Sequence, residues 1–388
     1  MSAGVVLDTD LVDRVRARLA ADVVAPTAQT VAAALQAEAG LHGSATVLAI
    51  VDLLRGEARG SGALEPLLTL EGVTDVLVNG PEGVYVDRGA GLQRSDVSLG
   101  DEHAVRRLAQ RLAARAGRRL DDASPWVDAR LPDGTRLHAV LSPVARPGTL
   151  ISLRVPARRT FDLASLREVG TLTHDDLVLL RGLLRARAAF VVTGGTGSGK
   201  TTLLSALLSS LAPEERVVVV EDATELRPDH PHVVGLEARP ANIEGSGLVT
   251  VRDLVRQALR MRPDRVVVGE VRGPEVVDLM AALNTGHEGG CGTLHANSPA
   301  DVPARFEALG VAAGLTRDAV HSQLAAGLDV VLHVGRDRDG RRVLAEVGIV
   351  QADAAGLVGV RTAVVRCGDR SQRRDGWAAL EQVLARAV

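Results

Sequence analysis

Residues 194–201 read Gly-Gly-Thr-Gly-Ser-Gly-Lys-Thr, between a short apolar run, Ala189-Phe-Val-Val-Thr193, and a stretch of helix formers from Thr201 to Leu208. A strand, a glycine-rich loop and a helix N-terminus in that order make a cradle of backbone N–H groups for phosphates, and the helix end adds a favourable field. Gly194, Gly195, Gly197 and Gly199 let the backbone wrap, with Thr196 and Ser198 between them. Lys200 is placed to bridge β- and γ-phosphates, Thr201 to set its hydroxyl on Mg²⁺, and Thr202 to extend the cradle. ATP and Mg²⁺ are the ligands this pattern implies. Of the 45 basic residues, 44 are arginine, and the single lysine is Lys200. A chain that uses arginine wherever a cation will serve keeps its one ammonium where a compact charge must reach between phosphates, a place a planar guanidinium does not fit.

The rest of the 388 residues leave room for two or three domains with filled cores. Residues 1–60 read as a helical segment, with Leu11, Val15, Leu19, Val31 and Leu35 at helical spacing, Pro26 as a break and a third helix over Val47 to Leu54. Residues 61–160 read as a small α+β domain. It holds a hairpin of Asp75–Asn79 with Gly83–Asp87, an amphipathic helix from Glu102 to Ala116, a Pro-Asp-Gly turn within Arg130–Arg136, and strands at Leu137–Leu141 and Leu150–Val155. Residues 161–180 are expected to form a linker and leading helix capped by Thr173. From 181 to 388 strands alternate with helices, which implies a mostly parallel sheet covered on both faces. A tail of hairpin texture around Asp337-Arg-Asp-Gly340 and a last helix at 377–387 follow.

Composition excludes several classes. A net charge of -3 and 2% aromatics argue against a surface built to hold nucleic acid, so nucleic acid is an unlikely partner. Cys291 and Cys367 match neither a disulfide framework nor a zinc site. The N-terminus lacks the pattern of a signal peptide. Arg181, Arg185 and Arg187 interrupt the best apolar stretch, so work at a membrane is expected from its cytoplasmic side, peripherally and through partners.

Other candidates end apolar runs. Arg216–Val220 leads into Glu221-Asp-Ala-Thr-Glu225, whose carboxylates lie just past a strand where ligands of parallel sheets bind. Arg265–Val268 leads into Gly269-Glu270, where P-loop enzymes place an acid at the metal; Glu270 is expected at metal-bound water or as base. Thr250 and Asp253 form a capping box for a helix running to Met261, with Arg260, Arg262 and Arg272 nearby as surface groups or phosphate sensors. His287 and His295 bracket a glycine-rich turn into a strand; an imidazole there can hydrogen-bond the γ-phosphate, whereas zinc would need more partners.

With these elements in order, the chain resembles the secretion ATPases of type II and type IV systems and type IV pili, and within them the CpaF/TadA-like branch of tight-adherence (Flp) pilus assembly. The residues carrying the resemblance are Leu259-Arg-Met-Arg-Pro-Asp-Arg-Val-Val-Val-Gly-Glu-Val-Arg-Gly273, Asn284–Gly289, Leu294–Ser298, Val73–Pro81 and Ser124–Gly134. It covers roughly 60–350 and departs at Gly290-Cys-Gly292. It implies a RecA-like domain behind a smaller N-terminal domain, in a homo-hexamer serving an inner-membrane platform protein and pilin-like subunits. The family's Walker A motif falls on Gly194–Thr201, its acidic box on Glu221–Glu225, its atypical Walker B on Glu270 and its histidine box on His287–His295. Its nucleotide-sensing arginines correspond to some of Arg119, Arg130, Arg136 and Arg154. Rival readings are a nucleic-acid motor of conjugation type and a nucleotide-gated scaffold with little turnover.

Overall fold

The structure is a computed structural model that describes residues 61–387, apart from 90, 157–160, 240, 242–245 and 285–288, together with parts of 11–51. Its contacts divide the chain into two compact units, residues 1–158 and 159–388.

In the first unit, helix α1 (Ala28–Ala39) buries Val31, Ala34 and Leu35 with Leu11, Val15, Leu19, Ile50 and Val51, as the helical spacing predicts. A six-stranded antiparallel sheet follows, built from β1 (Asp75–Asn79), β2 (Val84–Asp87), β3 (Leu92–Arg94), β4 (Trp126–Arg130), β5 (Arg136–Val140) and β6 (Leu150–Arg154) in the order β3-β2-β1-β6-β5-β4. A short α2 (Glu65–Leu68) precedes it. Helix α3 (Glu102–Arg115) starts where Asp101 accepts a hydrogen bond from the Ala104 amide, at 2.8 Å. Alternate strand residues (Val76, Val78, Val127, Leu137, Ala139, Ile151, Leu153) meet Val105, Leu108 and Leu112 of α3 in one core. Strands β3 and β4 had no clear sequence signal. β4 carries Trp126 and Asp128 exposed on either side of Val127, too short an alternation to read.

The second unit is a nine-stranded sheet. Its strands are β7 (Phe190–Thr193), β8 (Val217–Glu221), β9 (Val233–Glu237), β10 (Arg265–Val271), β11 (Cys291–Leu294), β12 (Val330–Arg336), β13 (Arg342–Ala352), β14 (Val358–Cys367) and β15 (Arg370–Arg373). Their order is β15-β14-β13-β12-β7-β11-β10-β8-β9. From β12 to β9 every pair is parallel, and the tail strands β13 to β15 extend the sheet as antiparallel neighbours. Helices α4 (Leu163–Glu168), α5 (His174–Arg185), α6 (Lys200–Leu208), α7 (Val251–Ala258), α8 (Glu275–Asn284), α9 (Val302–Ala312), α10 (Arg317–Gly327) and α11 (Trp377–Leu384) complete it, with one buried cluster on each face of the sheet. Valines dominate the central strands because both faces are covered.

Three expectations are revised and one strand is added. Residues 161–180 hold the expected leading helix, capped by Thr173, but are no linker: Leu163, Leu166, Leu172, Leu177 and Leu180 are buried in the core of the second unit. The strand expected to end at Val268 runs on to Val271, so Gly269 and Glu270 lie within β10, not past it. Edge strand β9 is an addition that its mixed sequence concealed. Helix α7 stops at Ala258 rather than Met261: the amides of Arg260 and Met261 turn back to the carbonyls three residues earlier, and Arg262 then takes a left-handed φ of 53°. Within α7 the Thr250–Asp253 capping box is present, as is that of Thr173–Asp176 on α5.

Among the described residues no helix is long and apolar enough to cross a membrane.

Candidate phosphate-binding site

The site begins at the carboxyl end of β7. Gly194, Gly197 and Gly199 take φ values of 148°, 67° and 101°, which L side chains rarely adopt. At Gly194 space is also decisive: a Cβ there would lie 2.3 Å from the Val334 carbonyl oxygen on β12. The loop folds into α6, which starts at Lys200 with Gly199 as its N-cap, and Thr201 and Thr202 stand half-buried in the first turn. Lys200 is 8% exposed and donates to the carbonyls of Gly194 and Gly195 at 3.1 and 2.9 Å. The ammonium thus closes the loop from inside. Arg342, at the start of β13, donates to the Gly197 carbonyl from outside at 3.0 Å. Nothing in the sequence marked Arg342; only the antiparallel return of β13 beside β12 brings the tail to the loop.

Strand order then assembles the rest. β11 lies between β7 and β10, so Lys200 after β7, His295 after β11 and Glu270 on β10 fall side by side at one sheet edge. His295 Nε2 is 3.4 Å from Lys200 Nζ and 3.3 Å from Glu270 Oε1. The latter contact is of ion-pair range without hydrogen-bond geometry, because Glu270 Oε1 has no hydrogen-bond partner among the described residues. Burial and the Lys200 charge push the His295 imidazole below its ordinary pKa, and burial lowers that of Lys200, with Glu270 opposing both shifts. Arg305 donates to the His295 carbonyl at 3.0 Å and fixes the backbone there. Glu270 Oε2 accepts from Arg272, so this sensor candidate reaches the site through the acid.

Glu221 ends β8 at 6% exposure, and its Oε1 accepts from the amides of Glu225 and Leu226 at 3.0 Å each. Burial pushes its carboxyl up to about 7. Glu225 is exposed, and its charge acts on Lys200 and Arg272.

Arg262 is not part of this site. It precedes β10 and therefore stands at the amino edge of the parallel sheet, whereas the loop is at the carboxyl edge. His287 lies outside the described residues. In the first unit, Arg119 pairs with Asp121. Register places Arg130 opposite Arg136 and Arg136 opposite Arg154, and Asp75 opposite Arg154 accepts from it at 3.2 Å. Arg130, Arg136 and Arg154 thus share one face across three strands, on the side away from the core.

Two polar atoms at the loop, Ser198 Oγ and Glu270 Oε1, are buried without hydrogen-bond partners among the described residues. Orphaned oxygens beside a buried ammonium suit a phosphate and a hydrated cation, and Mg²⁺ is typically held by one or two protein oxygens plus phosphates and water. Thr201 and Glu270 are the residues present that fit this role. No cluster of three or more metal-ligating side chains exists among the described residues.

Fold and site together define the class: an α/β protein with a glycine-rich loop, closed by a buried lysine, at the carboxyl edge of a largely parallel sheet. The chain belongs to the family described as Type II/IV secretion system protein, which matches residues 57–380. A Mycobacterium tuberculosis protein named for conjugal transfer is 58% identical over 348 residues, covering 88% of this chain and 98% of that protein. The type IV secretion system protein PtlH of Bordetella pertussis is 36% identical over 261 residues, covering 61% of this chain and 76% of PtlH. Among solved structures, the pilus retraction motor PilT with bound ADP shares the fold, at a TM-score of 0.53 and 22% identity over 74% of this chain and 81% of PilT.

Proposed function

We propose that this chain hydrolyses ATP and converts the cycle into work that assembles or exports pilus-like subunits at the cytoplasmic face of an inner membrane. The observation that carries the reading is Lys200, held inside its glycine loop beside His295 and Glu270. Lys200 balances charge on the β- and γ-phosphates, the loop amides orient them, and the half-buried His295 hydrogen-bonds the terminal phosphate and registers its loss. Glu270 orients the attacking water. Mg²⁺, which Thr201 and Glu270 would hold, supplies charge neutralisation at the phosphate oxygens when bound. By the family resemblance, nucleotide-sensing arginines fall among Arg119, Arg130, Arg136 and Arg154, and Arg272, which donates to Glu270, is a further candidate.

The resemblance carried by residues 259–273, 284–289 and 294–298 supports a RecA-like motor of the tight-adherence branch, working as a homo-hexamer with an inner-membrane platform protein. Lys200→Ala should retain its fold by circular dichroism and lose Mg-dependent ATP binding and turnover by at least about a hundredfold; unchanged turnover would sink the reading. A second reading, a conjugation-type nucleic-acid motor, is favoured by the name of the M. tuberculosis relative. Turnover measured with and without single- and double-stranded DNA separates the two: stimulation by DNA supports the second.

A further inference from the structure

Four carboxylates, Glu221, Asp222, Glu225 and Glu270, lie at or just past the carboxyl ends of β8 and β10, and the geometry does not give them equal work. β8 and β10 are paired in parallel with Val220 opposite Val268, so residues 221 and 269 are next in line on adjacent strands. Residue 269 is glycine. A Cβ built on it would lie 2.5 Å from Glu221 Cγ, 2.9 Å from Oε1 and 3.1 Å from Cδ. The Glu221 side chain therefore lies over Gly269 and takes the space that a side chain at 269 would fill. The β10 backbone at this point is pinned from its other neighbour, since Thr293 of β11 donates to the Gly269 carbonyl at 2.7 Å. Glu221 Oε1 is spent on the Glu225 and Leu226 amides, the two donors of the turn that follows β8.

This inference rests on the nucleotide reading above. We propose that Glu221 is a positioning residue: reaching across Gly269, it ties the 222–226 turn at the carboxyl edge of the sheet beside the phosphate site, and Gly269 is the vacancy that admits it.

The tie can be kept, cut or relocated. Glu221→Gln keeps the accepting Oε1. Glu221→Ala removes it. An aspartate at 269 carries carboxylate oxygens two bonds from its Cβ, close to where Glu221 Oε1 now lies, so Glu221→Ala with Gly269→Asp moves the acceptor to the other strand. We expect Glu221→Gln to keep kcat for MgATP within about twofold, and Glu221→Ala to lower kcat by roughly 10- to 100-fold with little change in KM, the range seen when supporting partners are lost. The double variant should recover most of that loss, whereas Gly269→Asp alone, colliding with Glu221, should not match wild type. Amide hydrogen exchange at residues 225 and 226 gives a readout free of turnover: protection should fall in Glu221→Ala and persist in Glu221→Gln. Glu221→Gln as inactive as Glu221→Ala, with exchange protection intact, would overturn the proposal and make Glu221 itself the base. So would unchanged protection in Glu221→Ala. A Lys200→Ala protein run alongside keeps the two ideas apart: if it turns over ATP like wild type, the nucleotide reading has failed, and the exchange result still judges the tie.

Discussion

Glu221 is 6% exposed, and burial outweighs the two amide hydrogen bonds that favour its charged form, leaving the carboxyl near 7 rather than 4.5. A carboxyl whose folded pKa is raised binds its proton more tightly in the folded state, so folding is penalised as pH rises from the unfolded value through the folded one. The penalty is absent below about pH 4.5, grows up to about pH 7 and then levels off at no more than about 3 kcal/mol. Glu221→Gln should thus raise the melting temperature by several degrees at pH 8 and hardly at all at pH 4.5, as followed by calorimetry. Equal effects at both pH values would show that ionisation is not the cause. At Gly194 the prediction is steric: Gly194→Ala drives a Cβ against the Val334 carbonyl and should cost on the order of 2–3 kcal/mol in urea unfolding. The glycine pattern could be read from the sequence. That the wall it avoids is a strand about 140 residues further on could not, because only pairing of β12 with β7 brings it there.

Element starts were readable where a side chain satisfies the helix's own orphan amides. Thr173 and Thr250 mark their helices by local chemistry, and local chemistry is legible in a local window. The same helix start on α5 also does something no window contains: Asp176, at N3, accepts from Ser371 of β15 at 2.7 Å and pairs with Arg366 of β14 at 3.4 Å, both nearly buried. Asp176→Ala removes the cap partner and strands the Arg366 charge. It should cost about 3 kcal/mol by urea unfolding, against about 1 kcal/mol for Thr173→Ala. Strand ends were read less well. The apolar run Arg265–Val268 stops before β10 does, because the strand continues through a glycine and a glutamate that are there for the site. Arg265 itself, 1% exposed, is anchored on Glu215 at 2.7 Å and on the Leu184 carbonyl at 2.7 Å, partners too remote in sequence to suggest that an arginine would be buried.

At the scale of the molecule, light scattering with a non-hydrolysable ATP analogue should give the mass of six chains. Monomers under those conditions would count against the ring. The helical, α+β and α/β textures in their order were legible because hydrophobic period changes with secondary structure, whatever the partners of each element. The loop, its lysine and its helix were legible for the same reason: a phosphate cradle is built from eight consecutive residues. Strand order is different in kind. Nothing in a period of two says which strand neighbours which, and it is the placing of β11 between β7 and β10 that turns Lys200, His295 and Glu270 into one site. The sequence alone determined the ligand-gripping loop and the class of fold, since both are written in contiguous residues. The tertiary structure alone decided that Lys200, His295 and Glu270 meet and that Arg342 of the tail reaches the loop, since those are contacts between distant segments that only folding brings together.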